Sequence, residues 1–148
     1  MPDDVATDDP HDLDRFVVAQ NDSYDRALAE LRAGRKRSHW MWFVFPQIAG
    51  LGHSDMARRY AVRSHAEAAA YLAHPVLGPR LITCVAALQD LPTADPVAVL
   101  GAIDAMKLRS SLTLFAAVGG PAILDAAIDR WFAGERDPAT LDRLRNVG

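Results

Sequence analysis

The chain has 148 residues, a formal net charge of −3 at neutral pH, five histidines and one cysteine. This length predicts one domain with a core of its own, and one cysteine excludes an internal disulfide framework or a multi-cysteine metal site. The near-neutral charge does not favour a nucleic-acid polymer as partner, and no stretch reaches the roughly 20 apolar residues that span a bilayer.

Residues 1–12 are acidic and precede the first apolar stripe, so they predict a disordered leader. They lack the basic and apolar regions of a secretory signal, which indicates a cytoplasmic protein. Residues 13–148 then form a single α-helical domain.

Helix signals follow one another along this domain. Stripes at helical spacing and cap residues predict the first five helices: one near Leu13–Val17, Tyr24–Ala33 stopped by Gly34, one opening at Ser54, Ser64–Ala73, and a longer one from His74-Pro75. Cap and proline signals predict the remaining helices: after Asp95-Pro96, Ala105–Val118 capped by Asp104, Pro121–Phe132, and after Asp137-Pro138. The predicted fold class is all-α, a compact single-domain bundle of about seven or eight short helices.

The segment from Ser38 to Phe45 is ambiguous, because its aromatic residues also favour a strand. A lone buried strand would have no partner, since no other run alternates with period two. We interpret the segment as a short, fully buried helix with Ser38 as its N-cap.

The first group of candidate site residues surrounds this segment. A basic turn leads into a predicted helix N-terminus, where an anion is favoured, and tryptophans follow that can stack a base or a ribose edge. The predicted ligand-binding residues are Arg35, Lys36, Trp40, Trp42 and Gln47, with His39 as a catalytic candidate. The alternative is a basic surface turn followed by an aromatic core anchor.

The second group lies on the predicted helix after Asp104. Lys107, Ser110 and Ser111 share one face of that helix, and a lysine beside hydroxyls suits a wall that binds an anionic or sugar-like ligand. Asp104 and Lys107 are the catalytic candidates, and Arg109, Ser110 and Ser111 the ligand-binding ones. The alternative is that Asp104 caps the helix, Lys107 is exposed and the serines pack against a neighbour.

The remaining candidates are single residues. Gln20 can project together with Tyr24 and is a further ligand-binding candidate, although a tyrosine on a helix is more often core. His74 is expected to cap or pack at a helix start, and Cys84 to be an inert core thiol. The histidines show no ligand spacing on a common helix, so no metal and no cofactor are expected.

Several motifs together resemble the bacterial family called domain of unknown function 1810 (DUF1810), some members of which carry the label calpastatin. The chain does not look like an extended protease inhibitor. The resemblance runs from about Leu13 to the last helix and implies a small, single-domain, α-helical protein without an established activity. The matching segments are Asp14–Gln20, Tyr24–Leu31, Ser38–Gln47, Gly50–Gly52, His74–Gly78 and Lys107–Phe115.

A weaker resemblance connects the chain to the NADAR family of N-glycosidase-like proteins. Ser38–Trp42 and Asp104–Leu112 are similar in order and rough spacing to two segments of that family. The glutamate of the first NADAR segment has no counterpart beside His39. Glycosidic cleavage normally uses a carboxylate to stabilise an oxocarbenium-like centre, and Asp104 is the best remaining candidate.

These observations lead to three hypotheses. In the first, the protein binds a small anionic, nucleotide- or ADP-ribose-like ligand and hydrolyses an N-glycosidic bond. In the second, it is a non-catalytic interaction or self-association module, monomer or homodimer, with an exposed aromatic hot spot. In the third, every polar candidate has a structural role. The most useful observation for choosing among them is whether His39, Gln47, Asp104, Lys107 and Ser111 converge on one cavity in the folded chain.

Overall fold

The computed structural model describes residues 9–147, without the side chain of Val147, and confirms the all-α class. Ten helices lie within this part of the chain, seven of them eight residues or longer. They are α1 (Asp14–Asn21), α2 (Tyr24–Ala33), α3 (Met41–Val44), α4 (Asp55–Arg59), α5 (His65–Ala73), α6 (Leu77–Gln89), α7 (Pro96–Leu100), α8 (Ala102–Ala117), α9 (Ala122–Phe132) and α10 (Pro138–Val147).

The predicted leader lies mostly outside the described residues, which begin at Asp9. The Asp9 carboxylate accepts hydrogen bonds from the backbone N–H groups of Leu13, at 2.7 Å, and Asp14, at 3.0 Å. Asp9 therefore satisfies two amide groups at the start of α1, which otherwise have no acceptor within the helix.

Helix α8 is the longest helix and lies at the centre of the bundle. It packs against α5, α7, α9 and α10, and its residues Leu108, Leu112 and Phe115 are buried in the core. The N-terminal end of α8 reaches the surface beside the segment that connects α2 to α3. This placement brings together the two segments that carry most of the candidate site residues.

Several helix starts are the ones that the sequence predicts. The hydroxyl of Ser64 accepts from Glu67 N at 3.0 Å, and Asp95 accepts from two amides at the start of α7. His74 Nδ1 accepts from the amides of Val76 and Leu77. These caps are local interactions, so the residue pattern alone predicts them.

The prediction that Asp104 caps α8 is wrong. The helix begins two residues earlier, at Ala102, after Gly101 with φ of 86°. Asp104 is therefore inside the first helical turn. Its carboxylate is free to form ion pairs instead.

The aromatic segment is also shorter than predicted. Only Met41–Val44 is helical, and Ser38 is not its N-cap. The Ser38 hydroxyl and amide bind the carboxylate of Glu30 instead. His39 is exposed and Trp42 is only half-buried, so the segment is not fully buried.

Candidate functional site

A surface cavity of about 440 Å³ lies between residues 36–42 and the start of α8. It combines residues from the two segments that the sequence separates by some 60 positions. The two candidate segments therefore meet at one surface cavity. The lining residues are Lys36, His39, Met41, Trp42, Leu100, Gly101, Ala102, Ile103, Asp104 and Lys107.

A cluster of two lysines and one aspartate forms the charged wall of the cavity. Lys36 Nζ is 2.9 Å from Asp104 Oδ2, and Lys107 Nζ is 3.4 Å from Asp104 Oδ1. The side chains of Lys36, Asp104 and Lys107 are 9%, 18% and 23% exposed. The cluster carries a formal surplus of one positive charge in a partly desolvated place, where charges act more strongly than in water.

Each lysine also lies over a tryptophan ring. Lys107 Nζ is 5.1 Å from the ring centroid of Trp42, and Lys36 Nζ is 5.1 Å from that of Trp40. These cation–π contacts hold both ammonium groups in position. Trp42 lines the cavity, whereas Trp40 is fully buried beneath it.

The start of α8 adds a second electropositive element. The first amide N–H groups of an α-helix have no acceptor within the helix, and the helix dipole is positive there. The residues of this first turn, Ala102, Ile103 and Asp104, all line the cavity. The electropositive end of α8 and the two ammonium groups thus border the same cavity.

Glu30 is the functional residue that sequence reasoning missed. Its carboxylate is buried and accepts hydrogen bonds from Arg37 N at 2.8 Å, Ser38 N at 3.0 Å and Trp40 Nε1 at 2.9 Å, and from the Ser38 hydroxyl. Glu30 thereby fixes the turn from which Lys36 and His39 reach the cavity. In the sequence, the only sign of this role is that Glu30 is an acidic residue next to Leu31, which belongs to the buried stripe of α2.

Burial alone would raise the pKa of the Glu30 carboxyl. The hydrogen bonds from Ser38, Arg37 N and Trp40 outweigh that effect and lower the pKa to about 2, from an ordinary value of 4.5. Four donors to one carboxylate favour its charged form. Glu30 is therefore ionised at neutral pH although it forms no ion pair with a described residue.

A second cavity, of about 300 Å³, adjoins the first. Ile103 and Lys107 line both cavities, so these two side chains form the boundary between them. The remaining lining residues of the second cavity are Gln47, Leu51, Gly52, Met106 and Ser110.

The structure thus brings seven of the predicted site residues to these two cavities. They are Lys36, His39, Trp42, Asp104 and Lys107 in the first, and Gln47, Lys107 and Ser110 in the second.

The other five predicted residues line neither cavity. Gln20 is buried and donates to Phe43 O at 2.7 Å and to the Tyr71 hydroxyl at 3.1 Å. Trp40 is buried and bound to Glu30, and the Arg35 side chain is exposed away from both cavities.

Arg109 and Ser111 lie farther along α8. The Arg109 guanidinium donates to the backbone carbonyls of Glu135 and Arg136, at 2.9 Å each. Ser111 is fully buried, and its hydroxyl has no hydrogen-bond partner among the described residues. Arg109 therefore ties α8 to the segment before α10 at the surface, whereas Ser111 is part of the core.

Cys84 is a buried free thiol, as predicted. Burial raises its pKa to about 12, so the thiolate that would act as nucleophile or metal ligand is disfavoured. Within the described part of the chain, no group of three histidine, cysteine, aspartate or glutamate side chains could hold a metal ion.

No single helix among residues 9–147 is long and apolar enough to cross a membrane. Helices α5 and α6 together have the length and apolar composition of a membrane span, but the chain bends by 83° between them.

Comparisons with known proteins give two matches. The model of the family described as protein of unknown function, DUF1810, matches residues 10–144. The crystal structure of the conserved hypothetical protein Rv1873 from Mycobacterium tuberculosis is similar, with a TM-score of 0.91 and 45% sequence identity. That match covers 93% of this chain and 99% of the mycobacterial one. No curated protein is significantly similar to the chain.

Proposed function

This chain belongs to the DUF1810 family, and from the geometry of its first cavity we propose that it binds a small anionic ligand of nucleotide- or ADP-ribose-like chemistry. The observation that carries the proposal is the cluster of Lys36, Asp104 and Lys107 at the N-terminal end of α8. The two lysines and the free amides of the first turn all favour a phosphate group at this point.

The size of these effects indicates what the rest of the ligand must supply. A helix N-terminus contributes about 0.3–1 kcal/mol to the binding of an anion and up to about 2 kcal/mol in partly buried sites. Each charged hydrogen bond adds about 1.5–3 kcal/mol. Since ordering costs offset part of this sum, a bare phosphate is expected to bind only in the millimolar range.

Trp42 supplies the additional contact that a larger ligand needs. Its ring is half-buried and forms part of the cavity wall beside the Lys107 ammonium. Stacking of a base on an aromatic side chain is worth about 1–3 kcal/mol. A ligand that joins a phosphate to a planar ring therefore fits the cavity better than a phosphate alone.

The test is calorimetric titration of the protein with AMP, ADP-ribose and inorganic phosphate. We expect the two nucleotides to bind more tightly than phosphate, and Lys107→Ala to weaken them about tenfold or more. The matched control is Arg26→Ala, which removes the same charge from an exposed position on α2 and is expected to change nothing. Equal affinities in the wild type and Lys107→Ala would refute the proposal.

Hydrolysis of an N-glycosidic bond is the finer proposal for the same site. Asp104 is the one acidic residue among the described residues that line the first cavity. Its carboxylate oxygens contact the ammonium groups of Lys36 and Lys107. A phosphate that draws one ammonium group away would leave the carboxylate to stabilise positive charge at the anomeric carbon. In this reaction the bond between C1′ and the nitrogen breaks and its electron pair goes to the nitrogen, while water adds its oxygen to C1′ and loses one proton. That proton goes to the nitrogen of a departing purine, or to solvent when nicotinamide leaves NAD⁺.

Asp104→Asn separates binding from cleavage. The substitution removes a negative charge that opposes the anion, so we expect equal or tighter binding of ADP-ribose. We expect loss of any release of nicotinamide from NAD⁺, or of purine from a nucleoside, as followed by liquid chromatography. Cleavage that persists at the wild-type rate in Asp104→Asn would contradict the role of the carboxylate.

A self-association module is the second candidate, and one observation favours it. Ile103 and Met106 are 72% and 71% exposed, and they lie three positions apart on α8 beside the cavities. Apolar side chains of this size that are clustered at a surface can form an interface. A dimer in sedimentation velocity that dissociates in Met106→Lys would support this candidate, and a monomer at all concentrations would exclude it.

A further inference from the structure

We propose that the second cavity receives a planar heterocyclic base, which leaves the Trp42 face of the first cavity to the other end of a dinucleotide-like ligand, and that Gln47 is the residue that distinguishes one base from another. The inference rests on the proposed function, because it assigns the anionic part of the same ligand to the Lys107 side of the first cavity.

The first step is that one ligand can occupy both cavities. Ile103 and Lys107 line both of them. An anion held at the Lys107 ammonium is therefore at the boundary and can be joined to a group on either side. A volume of about 300 Å³ for the second cavity is at the lower end of the range for small-molecule sites.

The second step is the chemistry of the walls. Leu51, Ile103 and Met106 are apolar surfaces, and no carboxylate is among the described residues that line this cavity. The Ser110 hydroxyl already contacts Met106 O, at 3.1 Å, and Asp137 Oδ2, at 2.8 Å. Apolar side chains with few unpaired polar groups suit the faces of a heterocycle better than a hydroxyl-rich sugar.

The third step is the state of Gln47. Its backbone carbonyl accepts from Val62 N at 2.8 Å, and Ala49 N donates to Val62 O at 2.8 Å, around a parallel bridge between Ile48 and Val62. The backbone of Gln47 is thus fixed. Gln47 lines this cavity and also a smaller one, of about 140 Å³, beside Ile48 and Arg58. Its side-chain amide forms no hydrogen bond with any described residue, so it is free to turn towards the second cavity.

A glutamine amide carries a donor and an acceptor side by side. It can therefore pair with a base edge that presents an acceptor next to a donor, and it discriminates against edges with another pattern. The fixed backbone lowers the ordering cost of such a contact. Gln47 is in this way a specificity-determining residue.

The test compares ribose 5-phosphate with the adenine, guanine, cytosine and uracil nucleoside monophosphates by calorimetric titration. In the wild type we expect at least one nucleotide to bind about tenfold more tightly than ribose 5-phosphate. In Gln47→Ala we expect the four nucleotides to differ by less than about threefold, with ribose 5-phosphate unchanged.

A second variant keeps the inference testable if Gln47→Ala is unstable. Met106→Trp changes an exposed side chain and fills the second cavity, so it should weaken the nucleotides and spare ribose 5-phosphate. An unchanged base preference in Gln47→Ala, or nucleotide binding unaffected by Met106→Trp, would overturn the base site. If the base site is overturned but Lys107→Ala still abolishes ribose 5-phosphate binding, the proposed function stands. If no nucleotide binds the wild type, the base site and the proposed function are both refuted.

Discussion

The two parts of α8 carry different polar residues and expose them to different degrees. In the N-terminal half, 102–107, Asp104 and Lys107 face a cavity and are partly exposed. In the C-terminal half, 108–117, Ser110, Ser111 and Thr113 are buried. The charged side chains of the first part reach solvent, whereas the hydroxyl-bearing residues of the second part are almost wholly enclosed. The first part therefore offers charge to a ligand at the cavity.

The buried half forms a polar junction with the start of α10. The Asp137 carboxylate accepts from the hydroxyls of Thr140, at 2.6 Å, and Ser110, at 2.8 Å, and Asp137 N donates to the Thr113 hydroxyl at 3.0 Å. Every one of these groups is paired within the protein. The cavity half has positive charge and amide groups that a ligand can still contact.

The largest effect is expected at this junction. Asp137→Ala removes the acceptor of the fully buried Thr140 hydroxyl and leaves the Ser110 hydroxyl with Met106 O alone. We expect the free energy of unfolding to fall by about 2–4 kcal/mol, measured by urea denaturation. Nucleotide affinity should be unchanged when measured well below the melting temperature, and a loss of affinity equal to that in Lys107→Ala would break the distinction between the halves.

An intermediate loss of stability is expected for a change at Glu30, whose carboxylate holds the turn that carries Lys36 and His39. Glu30→Gln replaces a charged acceptor with an amide whose NH₂ faces existing donors, and we expect a loss of about 2 kcal/mol in the free energy of unfolding. The difference from the wild type should depend on pH. Because the folded-state pKa of about 2 lies below the ordinary 4.5, the contribution of Glu30 is fully present above pH 4.5 and is lost as the pH falls towards 2.

Urea denaturation of both proteins between pH 7 and the lowest pH at which they fold measures this dependence. The stability difference between wild type and Glu30→Gln should be constant above about pH 5 and shrink below it. A difference that stays the same as the pH falls would show that the Glu30 charge does not hold the turn.

The smallest effect is expected at Ser111, and it has the opposite sign. The Ser111 hydroxyl is buried without a partner among the described residues, which costs about 1–3 kcal/mol relative to a satisfied group. Ser111→Ala also favours the helix. We expect thermal denaturation to show a melting temperature that is raised or equal, with unchanged nucleotide affinity, and a weaker affinity would return Ser111 to the ligand site.

The part of the fold that could be predicted from sequence is the local part. The Ser64, His74 and Asp95 caps and the Gly34 stop depend on residues a few positions apart, so their patterns are visible in the chain. The convergence of the 36–47 segment with the start of α8 was also expected, as one hypothesis among three.

The rest depends on contacts between distant residues. Asp104 has the pattern of a cap, but Lys36, far away in the chain, binds its carboxylate in the folded protein. Ser38 likewise has the pattern of a cap and binds Glu30 instead. A cap and a long-range pair use the same residue types, so the sequence cannot decide between them.

The most direct test of the ligand site is an amide chemical-shift map of the ¹⁵N-labelled protein, recorded by NMR during titration with ADP-ribose. We expect the largest shifts at residues 36–42 and 101–107, with smaller ones at 47–52, and none at the junction around Asp137. Shifts confined to other surfaces, or no shifts at millimolar ligand, would contradict the assignment of the cavity at the start of α8.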